Sequence, residues 1–86
     1  MFERGDIVIS AAGRDKTELL AVTSADEDAV FVCNGKDRPL HNPKRKNPKH
    51  VVPAGVRLEE TALRSDKGLR KALAIVKANH FGKGEN

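Results

Sequence analysis

The sequence predicts a mainly β domain, a small barrel of four or five strands followed by one amphipathic α-helix. Short β-branched runs separated by turn residues fill the first fifty-five or so positions, and the apolar pattern becomes helical after residue 65. With 86 residues the chain forms one domain with a thin core. We divide it into residues 1–64 (barrel), 65–81 (a helix packed on the barrel) and 82–86 (a disordered tail).

Three predicted strands occupy the first third of the chain. Residues 7–9 form the first, which ends at a turn around Gly13, and residues 18–23 form the second. Residues 29–33 form the third and are apolar at consecutive positions. Such a strand has both faces covered, as in a sheet that curls on itself.

A tight hairpin and a closing strand are predicted next. Asn34 and Gly35 both tolerate positive φ, so they predict a hairpin that joins the third strand to a fourth over residues 36–40. Residues 50–52 predict a short closing strand that either ends at residues 53–55 or is extended by residues 56–58. Closure into a barrel would remove the edges that a thin sheet leaves open to aggregation.

The last predicted element is the helix. Ser65 is a candidate N-cap, and Asp66 places a negative charge in the first turn. An apolar stripe at helical spacing follows: Leu69, Ala72, Leu73 and Val76. The basic residues of the opposite side are Lys67, Arg70, Lys71 and Lys77. We interpret that basic side as a solvated face, the usual character of a surface helix. Residues 59–64 show no pattern that assigns them.

Positive charge is concentrated in one short segment. The formal net charge of the chain is +4, and residues 36–50 hold six Lys or Arg against Asp37 alone, so the remaining residues sum to −1. Pro43 and Pro48 hold their preceding residues extended, which lowers the entropy cost of binding. Such a concentration is typical of a chain that binds a polyanion, the alternative being a solvated basic loop that keeps the protein soluble.

Composition narrows the kind of polyanion. The chain has no Trp or Tyr, and its aromatic residues are Phe2, Phe31 and Phe81. Proteins that bind single strands stack successive bases on several exposed aromatic rings, which three phenylalanines shared with the core do not supply. Recognition of the backbone and shape of folded RNA or of a duplex therefore fits better.

Catalytic and metal-binding interpretations find little support in the sequence. The single cysteine, Cys33, ends an apolar strand as a small core residue does, and the three histidines lack the spacing of zinc ligands. We expect no enzymatic activity, no metal and no cofactor. The first residues resemble no signal peptide and no apolar run spans a membrane, so we expect a cytoplasmic protein.

Residues 5–16, GDIVISAAGRDK, resemble a KOW motif, in which a strand, a glycine-centred turn and a second strand form part of an SH3-like barrel. Together with residues 34–36 and the block NPKRKNPKH at 42–50, they resemble the small bacterial KOW-domain RNA-binding proteins, which are similar to a KOW-bearing large-subunit ribosomal protein of archaea and eukaryotes. The resemblance covers roughly residues 4–55, and the helix around residues 69–73 also fits. It implies an SH3-like barrel that binds ribosomal RNA within a ribonucleoprotein.

The predicted site combines the turn and the basic loop. Glycine at position 13 can adopt positive φ without penalty, and the turn would present its basic neighbours beside the loop of residues 42–50. The predicted RNA-binding residues are Arg14, Lys16, Lys36, Arg38, Lys44, Arg45, Lys46, Lys49 and His50, and the structural turn residues are Gly13, Asn34 and Gly35. Expected partners of this monomer are structured RNA, above all ribosomal RNA, and ribosomal proteins. The alternatives are a protein-interaction module in transcription or translation, and binding of duplex DNA.

Overall fold

Three consecutive strands form an antiparallel meander at the centre of the domain. The computed structural model describes residues 1–13 and 16–80, with only the backbone of His80. Strands β1 (Asp6–Ser10), β2 (Leu19–Ala25) and β3 (Val30–Cys33) pair in sequence order. They confirm the three strands predicted from the apolar runs, with boundaries that differ by no more than two residues.

Two further strands, β4 (Lys44–Lys46) and β5 (Val51–Arg57), pair with β3 and β1. The described residues thus contain one five-stranded antiparallel sheet in the order β4-β3-β2-β1-β5, with β4 and β5 at its edges. This sheet and the C-terminal helix confirm the predicted mainly β class and are consistent with a small barrel-like domain.

The predicted hairpin strand at residues 36–40 is wrong. The side chain of Asn34 accepts hydrogen bonds from the backbone N–H groups of Lys36 at 2.9 Å and of Arg38 at 3.0 Å. These bonds fold the chain into a wide turn rather than a two-residue hairpin, because an Asn side chain can replace the backbone acceptor that a strand would use. Gly35 does adopt the expected positive φ, +79°.

The closing strand β5 continues through residues 53–55 to Arg57, which is the extension that the sequence left open. Pro53 is tolerated because β5 is an edge strand, whose outer side needs no ladder hydrogen bond. The register between β1 and β5 shifts near Gly55, whose φ of +81° accommodates the irregularity.

The core lies on both faces of the sheet. One cluster of buried residues fills one face: Val8, Leu20, Val22, Val30, Val32 and Val51. A second covers the other: Ile7, Ala21, Cys33, Leu63, Leu69 and Leu73. Val32 and Cys33, consecutive in β3, therefore enter different clusters, as the sequence predicts for a strand covered on both sides.

Helix α1 (Asp66–His80) packs on the sheet and contributes Leu69 and Leu73 to the second cluster. Ser65 caps it, since its Oγ accepts a hydrogen bond from the N–H of Gly68 at 3.0 Å, as predicted. A 3-10 helix, Glu60–Leu63, occupies the stretch that the sequence left unassigned. The predicted end of the helix at residue 81 and the tail over 82–86 lie outside the described residues. Across residues 1–13 and 16–80, no helix is long and apolar enough to cross a membrane.

Candidate nucleic-acid interface

The most basic part of the chain forms a strand, not the loop predicted for residues 42–50. Lys44, Arg45 and Lys46 constitute β4 and pair with β3 along one side only, so β4 lies at the sheet edge. The 3-10 helix Pro48–His50 follows directly. Charged residues, lysine above all, are common at edge strands because they discourage pairing with another chain. A run of cations can therefore occupy this edge without destabilising the sheet.

Side chains of β4 alternate between the two faces. Lys44 and Lys46 lie opposite Val32 and Val30, two members of the Val8 cluster, and are half-buried. Arg45 points to the other face and is exposed. In the described part of the chain, neither Lys44 nor Arg45 forms an ion pair or a side-chain hydrogen bond. Their charges are available to a ligand.

The Gly13 turn lies beside this strand, as predicted. Gly13 has a φ of +83°, and a Cβ added to it would lie 3.9 Å from Nζ of Lys46. The backbone N–H of Lys16 donates to the Gly13 carbonyl at 3.2 Å, and the Lys16 side chain is exposed. Arg14, the other predicted contact of this turn, lies outside the described residues. The turn and the edge strand thus form one continuous surface.

Lys49 and His50 belong to the same surface. The carbonyl of His50 accepts a hydrogen bond from the N–H of Ala11 at 2.8 Å, which ties the Pro48–His50 helix to the start of the Gly13 turn. Asn47 caps this short helix, its side chain accepting from the N–H of Lys49 at 2.9 Å. Asn47 has φ −71° and ψ 131°, the extended conformation that the following proline requires. The side chains of Lys49 and His50 are exposed.

Lys36 and Arg38 occupy a different place from the other predicted site residues. Lys36 is exposed and lines a groove of about 690 Å³ between the Asn34 turn and α1, together with Arg70 and Lys77. Arg38 is half-buried, and its carbonyl accepts from the N–H groups of Asn34 at 2.9 Å and Gly35 at 3.1 Å. Their first role is to build the turn that leads into β4.

Acidic side chains near the start of β1 are paired with arginines. The guanidinium of Arg4 donates through Nε and Nη2 to the Glu60 carboxylate, and this hydrogen bonding holds the pKa of Glu60 below its ordinary value. Arg57 Nε lies 2.7 Å from Asp6 Oδ1. These carboxylates therefore compete little with a polyanion for the cations of β4.

The cysteine behaves as a core residue. Cys33 is fully buried, and its thiol donates to the carbonyl of Pro39 at 3.3 Å. Burial raises the pKa of this thiol to about 11, so it stays protonated at neutral pH. Among the residues that the structure describes, no three His, Cys, Asp or Glu side chains gather as a metal site.

Two contacts near this surface were not predicted from the sequence. Arg70 was assigned to a solvated face, yet its Nη1 donates to the Gly35 carbonyl at 2.6 Å. Phe31 lies directly opposite Arg45 in the sheet. Neither contact has a local sequence signal, because each joins segments that are distant along the chain or depends on a strand register.

No protein-family model matches the chain, and a search of curated proteins finds no match. The geometry of the surface formed by β4, the Pro48–His50 helix and the Gly13 turn therefore carries the functional interpretation.

Proposed function

We propose that this protein binds structured RNA through the surface formed by β4, the Pro48–His50 helix and the Gly13 turn. One observation carries the proposal: β4 consists of three consecutive cations on an edge strand, and two of them, Lys44 and Arg45, have no partner among the described residues. Phosphate contacts of this kind supply most of the affinity of non-specific nucleic-acid binding.

The shape of the surface favours a folded nucleic acid over an extended single strand. Cations project to both sides of β4, and the neighbouring turn adds Lys16 and the short helix adds Lys49. Such a ridge can contact phosphates on either side of a groove, where recognition relies on shape and on 2′-hydroxyl and phosphate contacts. The KOW-like block at residues 5–16 adds ribosomal RNA as the expected target, with a monomeric, cytoplasmic protein acting in translation.

The decisive experiment is the salt dependence of RNA affinity. If four to six cations contact phosphates, the slope of log affinity against log salt should be roughly −3 to −5. Replacing Lys44, Arg45 and Lys46 together with Gln keeps the stems and removes three charges. This triple variant should bind more weakly, with a slope smaller in magnitude by about two to three.

A matched control removes the same charge from the helix. Lys67, Lys71 and Lys77 are exposed on α1, and their replacement with Gln should change RNA affinity and slope little. Each protein is titrated with an RNA stem-loop and a DNA duplex of equal length. Unchanged affinity and slope in the β4 variant would refute the proposal, whereas equal binding of DNA would extend it to duplexes in general.

A further inference from the structure

Phe31 lies apart from the core of the domain. Of the two described phenylalanines, Phe2 packs against the Val8 cluster, whereas Phe31 belongs to neither core cluster. Phe31 is half-buried, so part of the residue is accessible to solvent. A large aromatic ring left at the surface next to a charged strand needs an explanation other than core packing.

The sheet register fixes the neighbours of this ring. Phe31 pairs with Ser24 on β2 and with Arg45 on β4, and both of these neighbours are exposed. Residues opposite each other in an antiparallel sheet project from the same face with Cβ atoms about 5 Å apart. The ring is therefore flanked by a small hydroxyl side chain on one side and by a guanidinium on the other.

Helix α1 packs on the neighbouring part of this sheet face, and the core clusters do not include Phe31. Leu69 packs with Cys33 in the second core cluster, and Cys33 lies two residues further along β3 from Phe31 on the same face. Beyond Cys33 the row formed by Ser24, Phe31 and Arg45 crosses three strands up to the sheet edge. A flat ligand can approach it from solvent.

We propose that Phe31 and Arg45 bind one unpaired nucleobase of the RNA, an inference that rests on the proposed function. An aromatic ring and a guanidinium plane are the two protein groups on which unstacked RNA bases stack. The neighbouring hydroxyl of Ser24 can donate to or accept from the base edge. The cations of β4 hold the phosphates on either side of that nucleotide.

The chemistry selects a bulged or loop nucleotide next to a helix. One ring can accept one base, so this site differs from the row of rings that holds a long single strand. Within a duplex each base is already stacked on its neighbours, so its flat face is not available to stack on the ring of Phe31. The ligand class is therefore structured RNA with at least one unstacked base.

The test compares two RNA stem-loops that differ only by one bulged 2-aminopurine. The chain has no Trp or Tyr, so the fluorescence of 2-aminopurine is observed without protein background. The wild-type protein should bind the bulged RNA about 5-fold to 100-fold more tightly than the fully paired RNA, the range for one stacked base, and should quench its fluorescence.

Phe31→Leu should remove both the quenching and the preference, while it leaves the affinity for the paired RNA unchanged. Phe2→Leu makes the same chemical change at a phenylalanine that packs on the core, and should retain both signals. If Phe31→Leu does not fold, as judged by circular dichroism, Arg45→Gln serves instead. It should reduce the preference for the bulge more than Lys49→Gln, which removes one charge from the same surface.

Failure of this inference can be distinguished from failure of the proposed function. Equal affinity of the wild-type protein for the two RNAs, or quenching that persists in Phe31→Leu, overturns the inference and leaves the proposed function intact. Failure of the wild-type protein to bind either RNA in a salt-dependent way defeats the proposed function itself.

Discussion

The carboxylate of Asp66, in the first turn of α1, accepts a hydrogen bond at 2.8 Å from the backbone N–H of Leu40, 26 residues earlier. One helical turn further on, Arg70 donates to the Gly35 carbonyl. The two contacts fasten the segment between β3 and β4 to the helix. The position of the basic strand β4 therefore depends on these contacts with α1.

Replacing Asp66 should loosen this connection. Asp66→Ala leaves the part-buried N–H of Leu40 without its acceptor, and we expect the free energy of unfolding to fall by about 1–3 kcal/mol. Asp66→Asn keeps an acceptor oxygen and should cost less. Urea unfolding followed by far-ultraviolet circular dichroism measures both.

Glu27→Ala is the control for this prediction, because Glu27 is an exposed acid in the turn between β2 and β3. It should change stability by no more than about 0.5 kcal/mol. If Asp66→Ala costs no more than Glu27→Ala, the hydrogen bond to Leu40 does not stabilise the domain.

Three glycines with nearly the same backbone conformation should respond differently to alanine. Gly35, Gly13 and Gly55 have φ values of +79°, +83° and +81°. A Cβ at Gly35 would lie 2.5 Å from the Asp66 carbonyl oxygen. Among the described residues, a Cβ at Gly13 would approach only the flexible amine of Lys46, and a Cβ at Gly55 would have no atom within 4 Å.

Gly13→Ala and Gly55→Ala should therefore each cost about 1–2 kcal/mol, the conformational penalty alone. Gly35→Ala should cost more than either, since the backbone must also move to relieve the overlap. Thermal melts of the three variants provide the comparison. Equal losses in all three would mean that the contact between Gly35 and α1 is not maintained in solution.

The same turn shows what the sequence can and cannot reveal. Asn34 and Gly35 correctly predict a turn, and Gly35 has the expected positive φ whereas Asn34 does not. The tolerance of glycine for positive φ is a property of the residue itself. The destination of the chain after the turn is set by the side chain of Asn34 and by the contacts of Gly35 and Leu40 with α1. Those contacts join residues distant in sequence, and no local pattern reports them.

For the basic segment, the charge was predictable from the sequence but the secondary structure was not. The positive charge of this segment is evident from its composition. Three consecutive cations show no alternation of apolar and polar residues, so the sequence predicts a loop where the structure has the strand Lys44–Lys46. Pairing with β3 makes it a strand, and the resulting register sets Arg45 opposite Phe31. The helix, by contrast, was predictable because its cap and its apolar stripe are both local.

The stability of the domain should depend on the ionisation of Asp6. Burial raises the pKa of Asp6, but hydrogen bonds from the Glu3 N–H at 2.9 Å and from Arg57 Nε at 2.7 Å outweigh it, so the pKa lies below its ordinary value of 3.8. A carboxylate whose pKa is lowered by folding stabilises the folded state above its unfolded pKa and loses that contribution as the pH falls through its folded pKa.

Asp6→Asn should therefore be less stable than the wild-type protein at pH 7, and the difference should shrink as the pH falls below about 3.8. Urea midpoints of both proteins between pH 7 and pH 2 measure it. Arg57→Gln removes one of the two donors and should show a smaller difference of the same pH dependence. A difference that stays constant over the whole range would mean that packing, not charge, accounts for the effect.

Helix α1 should stabilise the fold through its buried leucines. Leu73 is 7% exposed and packs in the second core cluster, while Ile75 on the same helix is 58% exposed. Leu73→Ala should lower the free energy of unfolding by about 2–4 kcal/mol, because it opens a cavity at a shallow site. Ile75→Ala removes a similar side chain from the solvent side and should change it by no more than about 0.5 kcal/mol. Thermal and urea unfolding of the two variants make the comparison.

Leu73→Ala and the charge variant at Lys67, Lys71 and Lys77 together separate a structural helix from a binding one. If α1 serves the fold, RNA affinity of folded Leu73→Ala at low temperature stays near that of the wild-type protein, and loss of charge at Lys67, Lys71 and Lys77 changes it little. The opposite pattern would be an unchanged melt in Leu73→Ala together with abolished binding in the helix charge variant. It would make α1 the RNA-contacting element and reduce β4 to a secondary surface, since the two cannot both dominate a salt-dependent affinity.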